Sequence, residues 1–183
     1  MMIVAVVVIA VIVVAIAAVL LMGGNDDGSD GTGEDGDVIE WDPAVGDYYE
    51  YTMYTGDIEI GKMAYRVTAV TSTTMTLNVT SSFMGVKSFN ETTVPLGQST
   101  DYLGQIENPP SGYDISDKGY QSISTNWGTM ITHHYQMTYS EGGSDVTVDI
   151  WIYKGMLIRM SAGSGGSDVT MELTDTNISE IAD

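Results

Sequence analysis

The chain has 183 residues, of which 25 are acidic and 6 are basic, and its formal net charge is −19. This excess of negative charge argues against nucleic-acid binding, which needs Lys and Arg to neutralise phosphates, and against docking on anionic lipid. The chain contains no Cys, so disulfides and thiolate metal sites are excluded.

Residues 1–22 form an unbroken apolar run without a charged or polar side chain. A helix of this length crosses the roughly 30 Å hydrocarbon layer of a bilayer. We predict an uncleaved signal-anchor helix in the cell membrane, with the remainder of the chain on the extracytoplasmic side. A cleaved signal peptide is the alternative, with Ala15-Ile16-Ala17 as its cleavage site, but the basic residues that usually precede such a peptide are missing.

Residues 23–37 are rich in Gly and Asp and contain six acidic residues and no basic one. Such a segment cannot bury apolar surface, so it is predicted to be a flexible acidic linker. A calcium loop that starts at Asp26 is the alternative, but Gly28 stands where such a loop needs an oxygen ligand. Outside the linker the chain has 19 acidic and 6 basic residues, which gives a net charge of −13.

Residues 38–183 are predicted to form one antiparallel β domain, because apolar and polar side chains alternate with a period of two. The alternating segments are Tyr49–Met53, Met63–Ala69, Met75–Val79, Ile131–Tyr139, Val146–Ile152, Met156–Met160 and Val169–Leu173. The fold class is therefore mainly β, as either a curved half-barrel or a sandwich. No convincing helical period follows residue 22.

The segment Gly104–Gly128 interrupts this alternation and is predicted to be a long irregular connection. It carries Tyr113, Tyr120 and Trp127, which together with His133 form a candidate ligand groove. The alternative is an excursion of the chain that packs over one end of the sheet.

His133 and His134 are adjacent and are the only two histidines in the chain. Neighbours in a strand point to opposite faces, so the pair is not expected to bind one metal ion together. His133 falls on the apolar face, which is typical of a core histidine with satisfied hydrogen bonds. His134 is predicted to face solvent. No catalytic motif supports either residue as a base.

The sequence GGSDVT occurs twice, at Gly142–Thr147 and Gly165–Thr170. We interpret each copy as the turn that opens an outer strand of a C-terminal three-strand meander, over about 145–153, 156–162 and 168–174. This places Asp145 and Asp168 on one rim, roughly 10 Å apart. With Glu141 they form a candidate calcium site, whereas the alternative is that the repeat only turns the chain.

Three N-x-S/T sequons occur, at Asn78, Asn90 and Asn177, and are candidate glycosylation sites of an exported chain. Asn78 is predicted to lie on the polar face of its strand.

The hairpin sequence Ile150-Trp151-Ile152-Tyr153-Lys154-Gly155-Met156-Leu157-Ile158-Arg159-Met160 resembles a late hairpin of the LolA/LppX-like lipoprotein carriers. The resemblance implies a curved antiparallel half-barrel that holds acyl chains. This chain lacks the lipid-attachment Cys of that family. The arrangement of anchor, acidic linker and Tyr/Thr-rich β domain also resembles small archaeal membrane-anchored surface proteins.

The function expected from these features is a non-enzymatic, membrane-anchored extracytoplasmic β domain for adhesion, envelope structure or ligand capture. A carrier of lipid or another apolar ligand is the alternative, with the Met- and Tyr-rich face as its cavity. A pilin-like filament subunit and an exported hydrolase rank below these. No cofactor is expected, the expected partners are the membrane and an apolar ligand or envelope protein, and the oligomeric state is left open.

Overall fold

The computed structural model describes residues 42–95, 113–141, 144–153, 156–164 and 167–182. Within these ranges the chain forms nine strands and one short helix. The elements are β1 (Tyr48–Thr55), β2 (Ile58–Val70), β3 (Thr74–Phe83), β4 (Val86–Pro95), β5 (Tyr113–Thr125), β6 (Gly128–Glu141), β7 (Ser144–Tyr153), β8 (Met156–Ser164), β9 (Ser167–Thr176) and α1 (Ser179–Ala182).

The strands form one antiparallel sheet in the order β4-β3-β2-β1-β9-β8-β7-β6-β5. Sequential neighbours pair within two meanders, β1–β4 and β5–β9. The meanders are joined by the pairing of β1 with β9, in which Tyr49 lies opposite Thr176 and Thr55 opposite Val169. The predicted mainly-β antiparallel fold is confirmed. The nine strands form a single continuous open sheet.

The predicted C-terminal meander is also confirmed. Thr147 pairs with Gly163 between β7 and β8, and Gly163 pairs with Asp168 between β8 and β9. Both GGSDVT copies therefore lead into the outer strands of the trio, at the same rim. The Gly pairs of the two copies lie outside the described residues, as do residues 1–22, the linker 23–37 and the predicted entrance of the β domain at 38–41.

Most of the core lies on one face of the sheet, which we call the inner face, whereas Ile123 and Met130 of the β5–β6 hairpin are buried on the opposite, outer face. The core is built by alternate residues, as the period of two in the sequence predicts. The largest fully buried side chains are Tyr49, Tyr51, Met53, Leu77, Leu157, Ile158, Met160 and Met171. Burying a side chain of this size stabilises a fold by about 1.5–3 kcal/mol.

Three tyrosines organise the centre of the inner face. The rings of Tyr49 and Tyr65 stack with centroids 4.9 Å apart, and Tyr51 meets both rings edge-on. The Tyr51 hydroxyl donates a 3.0 Å hydrogen bond to the carbonyl of Leu157 in β8. Burial raises the pKa of Tyr49 and of Tyr51, so both stay neutral.

The C-terminal end of the chain is fixed to the start of β1. Asn177 Oδ1 accepts a 2.7 Å hydrogen bond from the Tyr48 amide, and Asn177 Nδ2 donates to the Gly46 carbonyl at 3.2 Å. One helical turn, α1, follows and buries Ile178 and Ile181. Within the described parts of the chain, no helix has the length and apolar character needed to cross a membrane.

One element was predicted wrongly. The irregular connection Gly104–Gly128 contains β5, a 13-residue strand over Tyr113–Thr125. The alternation is hidden because β5 is an edge strand, which is polar on most of its surface, and because a bulge between Asp117 and Gly119 shifts the period. The other described residues of this segment are Asn126 and Trp127, which form the turn, and Gly128, the first residue of β6.

The inner face provides a direct test of this packing. Met160 is 0% exposed and Met84 is 71% exposed. Met160→Ala removes buried methylenes and leaves a cavity, so we expect it to lower the free energy of unfolding by about 2–5 kcal/mol. Met84→Ala removes the same atoms from the surface and should change that free energy by less than about 0.5 kcal/mol. Urea denaturation of both variants, followed by tryptophan fluorescence, measures the difference; equal effects would contradict this core.

Candidate functional site

Strand β6 presents its two histidines to opposite faces, and each histidine has its own carboxylate. His133 Nε2 lies 2.8 Å from Asp117 Oδ1, and His134 Nε2 lies 2.8 Å from Asp149 Oδ1. Because the two rings are on different faces, they do not share a ligand, as the strand geometry predicts.

The inner-face cluster consists of Asp117, Tyr120, His133 and Tyr135. His133 Nδ1 lies 2.8 Å from the Tyr135 hydroxyl, so both ring nitrogens are engaged. An ionised carboxylate only accepts hydrogen bonds, so Nε2 carries the proton and donates to Asp117. In the neutral ring, Nδ1 then accepts the hydrogen bond of Tyr135. This order of donors fixes both the tautomer and the orientation of the imidazole.

Tyr120 covers the other side of this histidine. Its ring stacks on His133 with centroids 4.7 Å apart, while 58% of the residue remains exposed. Ile131, two residues before His133 on β6, is also exposed on this face. The result is a rigid aromatic surface with a carboxylate at its side.

A bulge in β5 creates this geometry. The register with β6 shifts between Asp117 and Gly119, and Gly119 has a positive φ of 75°, which glycine adopts without a steric penalty. The Gly119 amide donates a 2.7 Å hydrogen bond to Asp117 Oδ1. Partial burial of Asp117 raises its pKa, but the hydrogen bonds from Gly119 and His133 outweigh this effect and hold the pKa below its ordinary value.

The outer-face cluster is built around His134. Its ring stacks in parallel on Trp151, with centroids 4.7 Å apart and an interplanar angle of 6°. Asp149 accepts a second hydrogen bond from Gln136 Nε2 at 2.9 Å. The prediction that His134 faces solvent is therefore wrong: its side chain is only 15% exposed, because Trp151 and Asp149 occupy its two sides.

The tip of the β5–β6 hairpin lies over the outer face of the sheet. Arg159 Nη2 in β8 donates to the Ser124 carbonyl at 3.1 Å, and Asn126 Nδ2 donates to the Thr174 carbonyl in β9 at 2.9 Å. β8 and β9 are three and four strands away from β5 in the sheet, so these contacts require the hairpin to fold back.

A pocket of about 190 Å³ lies under this hairpin tip. Its polar centre is the ion pair of Arg159 Nε with Glu172 Oε1, at 2.7 Å. The remaining lining residues are Ser124, Thr125, Asn126, Ile158 and Leu173. This volume is below the roughly 300–1,000 Å³ of typical small-molecule sites, and the ion pair already satisfies its charges.

Two of the four residues of the predicted ligand groove lie in the inner-face cluster. Tyr120 and His133 are brought into contact, whereas Trp127 lies in the turn at the hairpin tip and packs against the core. The structure does not describe the side chain of Tyr113. The groove remains a prediction.

Sequence reasoning missed the two residues that hold His133. Tyr135 was detectable, since it stands two positions from His133 and thus on the same face. Asp117 carried no usable signal, because its partnership depends on the bulge.

The predicted calcium site is only partly described. Asp145 accepts a 2.7 Å hydrogen bond from Ser140 Oγ, and Asp168 lies on the same rim two strands away. The structure does not describe the side chain of Glu141. Among the side chains that the structure describes, no three His, Asp or Glu residues converge as metal ligands. The site remains a prediction.

The three sequon asparagines are all exposed. Asn78 lies on the outer face of β3, as predicted, and Asn90 lies on the edge strand β4. Asn177 already uses both side-chain atoms to fix the C-terminal end to β1. Glycosylation of Asn177 would attach the sugar to the same Nδ2 atom that donates to the Gly46 carbonyl.

The chain is similar in structure to two solved proteins. No protein-family model and no curated protein sequence matches it. A candidate lipoprotein of Parabacteroides distasonis aligns over 73% of this chain and 96% of its own, at 12% identity and a TM-score of 0.47. A candidate exported protein of Bacteroides fragilis with a YmcC-like fold aligns over the same shares, at 10% identity and a TM-score of 0.44.

The lowered pKa of Asp117 predicts a pH-dependent contribution to stability. The folded pKa lies below the ordinary value near 4, so the carboxylate stabilises the fold above that pH and loses this effect as pH falls through the folded pKa. We expect Asp117→Asn to be less stable than wild type above about pH 5, and the difference to shrink as the pH falls below the ordinary value near 4 and through the lowered folded pKa.

Urea midpoints measured from pH 3 to pH 7 test this dependence. Asp114→Asn is the matched control, because it removes an exposed carboxylate from the same strand. A stability difference for Asp117→Asn that persists unchanged at pH 3 would show that the carboxylate charge has no part in it.

Proposed function

We propose that this chain is a membrane-anchored extracytoplasmic recognition domain without catalytic activity. The observation that carries the proposal is the state of His133, whose two ring nitrogens are bound by Asp117 and Tyr135. These two hydrogen bonds fix the orientation of the imidazole, with Nε2–H donated to the carboxylate and Nδ1 accepting from the Tyr135 hydroxyl. Its role is to hold the exposed ring of Tyr120 in place.

The architecture of the chain supports the location. An apolar segment at residues 1–22 has the length that a membrane-spanning helix needs, and the predicted linker at 23–37 carries six acidic residues and no basic one. A β domain on such a tether is displayed at a distance from the membrane. The excess of acidic residues keeps this surface soluble and repels other anions.

The inner-face cluster fits a polar, ring-shaped ligand such as a saccharide unit of an envelope polymer. The flat, apolar face of a sugar ring packs on an aromatic side chain, as Tyr120 offers, while hydroxyl groups donate to a carboxylate such as Asp117. Because the rings of Tyr120 and His133 are already stacked, little side-chain entropy is lost on binding.

The lipid-carrier alternative finds less support. The Met and Tyr side chains expected to line its cavity pack against one another instead, and Tyr49, Tyr51, Met160 and Met171 are fully buried. An acyl chain would have to displace these side chains from the inner face.

The location is tested by cysteine labelling, because the chain has no Cys of its own. Val45 and Ile58 are exposed near the start of the domain. In intact cells we expect Val45→Cys and Ile58→Cys to react with a membrane-impermeant maleimide. Labelling only after the cells are broken open would refute the extracytoplasmic location.

The recognition surface is tested by co-sedimentation of the detergent-solubilised full chain with polysaccharide purified from the envelope of the source cells. We expect Tyr120→Ala to weaken binding about tenfold, because it removes the stacking ring. Tyr120→Phe keeps the ring and should bind nearly as well as wild type. Ile58→Ala, at an exposed site on β2, is the matched control. Equal binding by Tyr120→Ala and the control would show that the surface around Tyr120 does not bind this polysaccharide.

A further inference from the structure

The open sheet ends in two edge strands, β4 and β5, and only β5 is interrupted by a bulge. β5 carries a bulge at Asp117–Gly119 and the charged residues Asp114 and Lys118, which are typical means of preventing further strand addition. β4 pairs with β3 over all ten residues without a register shift, and its single proline stands at its last position. Its second edge pairs with no strand in the described ranges.

β4 also exposes apolar side chains that an edge strand normally avoids. Val86 and Phe89 are each 73% exposed, and Met84 in the preceding turn is 71% exposed. A long, regular edge strand with exposed apolar side chains is the kind of surface that pairs with another strand.

The turn before β4 determines which backbone groups are available. Met84 and Gly85 have φ values of 47° and 84°, which is the geometry of a two-residue type I′ turn. Phe83 and Val86, on either side of the turn, therefore form a hydrogen-bonded pair, and the pairs alternate along the ladder. It follows that Lys87, Phe89 and Glu91 direct their N–H and C=O groups away from β3.

These residues are complementary to themselves. When a second β4 strand is placed antiparallel with Phe89 opposite Phe89 of the second copy, Lys87 lies opposite Glu91 of that copy, and Glu91 opposite its Lys87. Each of the three pairs is then of the hydrogen-bonded type. A shift of the axis by one residue in either direction leaves the opposite charges unpaired. Lys87 is one of only six basic residues in the chain.

We propose that β4 is a homodimerisation edge. Two copies pair through their β4 strands about a two-fold axis at Phe89, with Phe89 packed against its symmetry mate and a Lys87–Glu91 ion pair on each side. The interface is isologous and closes at two copies, so it joins two nine-stranded sheets into one continuous sheet without forming a filament. The proposal is independent of the recognition surface, which lies at the opposite edge.

The first experiment is a cysteine cross-link in the full chain in mild detergent. In an antiparallel hydrogen-bonded pair the Cα atoms are about 5.5 Å apart, which is within the range that a disulfide spans. Since the chain has no native Cys, Phe89→Cys can link only to a second copy. We expect a covalent dimer under mild oxidation, and none from Val45→Cys, an exposed control outside the sheet. No enrichment of Phe89→Cys dimer over the control would overturn the proposal.

The second experiment reverses the charges at exposed positions, where the fold itself is not at risk. Lys87→Glu and Glu91→Lys each place like charges opposite one another at both ends of the interface, and we expect each to raise the dimer dissociation constant by about tenfold. The double variant restores opposite pairs and should return to within about twofold of wild type.

Analytical ultracentrifugation of the four chains measures these constants, and circular dichroism confirms their fold. A double variant as weak as the single variants would overturn the register. A ladder of higher oligomers would contradict the two-fold dimer and would indicate that β4 pairs with β5 of the next copy. Monomers in all four chains would contradict dimerisation itself.

Discussion

The antiparallel pairing of β1 with β9 is the interaction on which the rest of the structure depends. Each meander is built from local hairpins, and the pairing of β1 with β9 joins the two into one sheet with a shared core. Tyr49 and Tyr51 of β1 complete that core, since they pack with Tyr65 of β2 and reach the Leu157 carbonyl of β8. The hydrogen bonds of Asn177 then fix the C-terminal end against the same strand.

This arrangement leaves the two free edges of the sheet with different properties. At the β5 edge, the bulge at Gly119 and the Asp117–His133–Tyr135 hydrogen bonds give a rigid polar and aromatic surface. At the β4 edge, a regular ladder presents apolar side chains and two opposite charges. Eight strand spacings of about 4.8 Å separate the edges along the sheet, which leaves room for a ligand at one and a second copy at the other.

Much of this fold follows from local sequence. Alternation of apolar side chains predicted seven of the strands and the faces of Tyr49, Met63 and Met171, because one face of each strand is buried. β4 and β5 were not recognised, because an edge strand buries little and its pattern is weak. The pairing of β1 with β9 has no local signal at all.

The candidate site was predictable only in part, for a related reason. Residues two apart in one strand share a face, so the contact between His133 and Tyr135 was available from the sequence. The contact of His133 with Asp117 was not, since a one-residue bulge decides which face Asp117 occupies. Likewise, the burial of His134 depends on Trp151 from a neighbouring strand.

The β1–β9 contact also sets the order in which the chain acquires its structure. Tyr49 and its partner Thr176 are separated by most of the domain, whereas every other neighbouring pair of strands is consecutive in the sequence. Closing so long a loop costs more conformational entropy than forming a hairpin, and such non-local contacts slow folding. During synthesis, β1 leaves the ribosome long before β9. The first hairpins therefore wait with their apolar face uncovered until the chain is almost complete, and during this interval the chain is most exposed to aggregation.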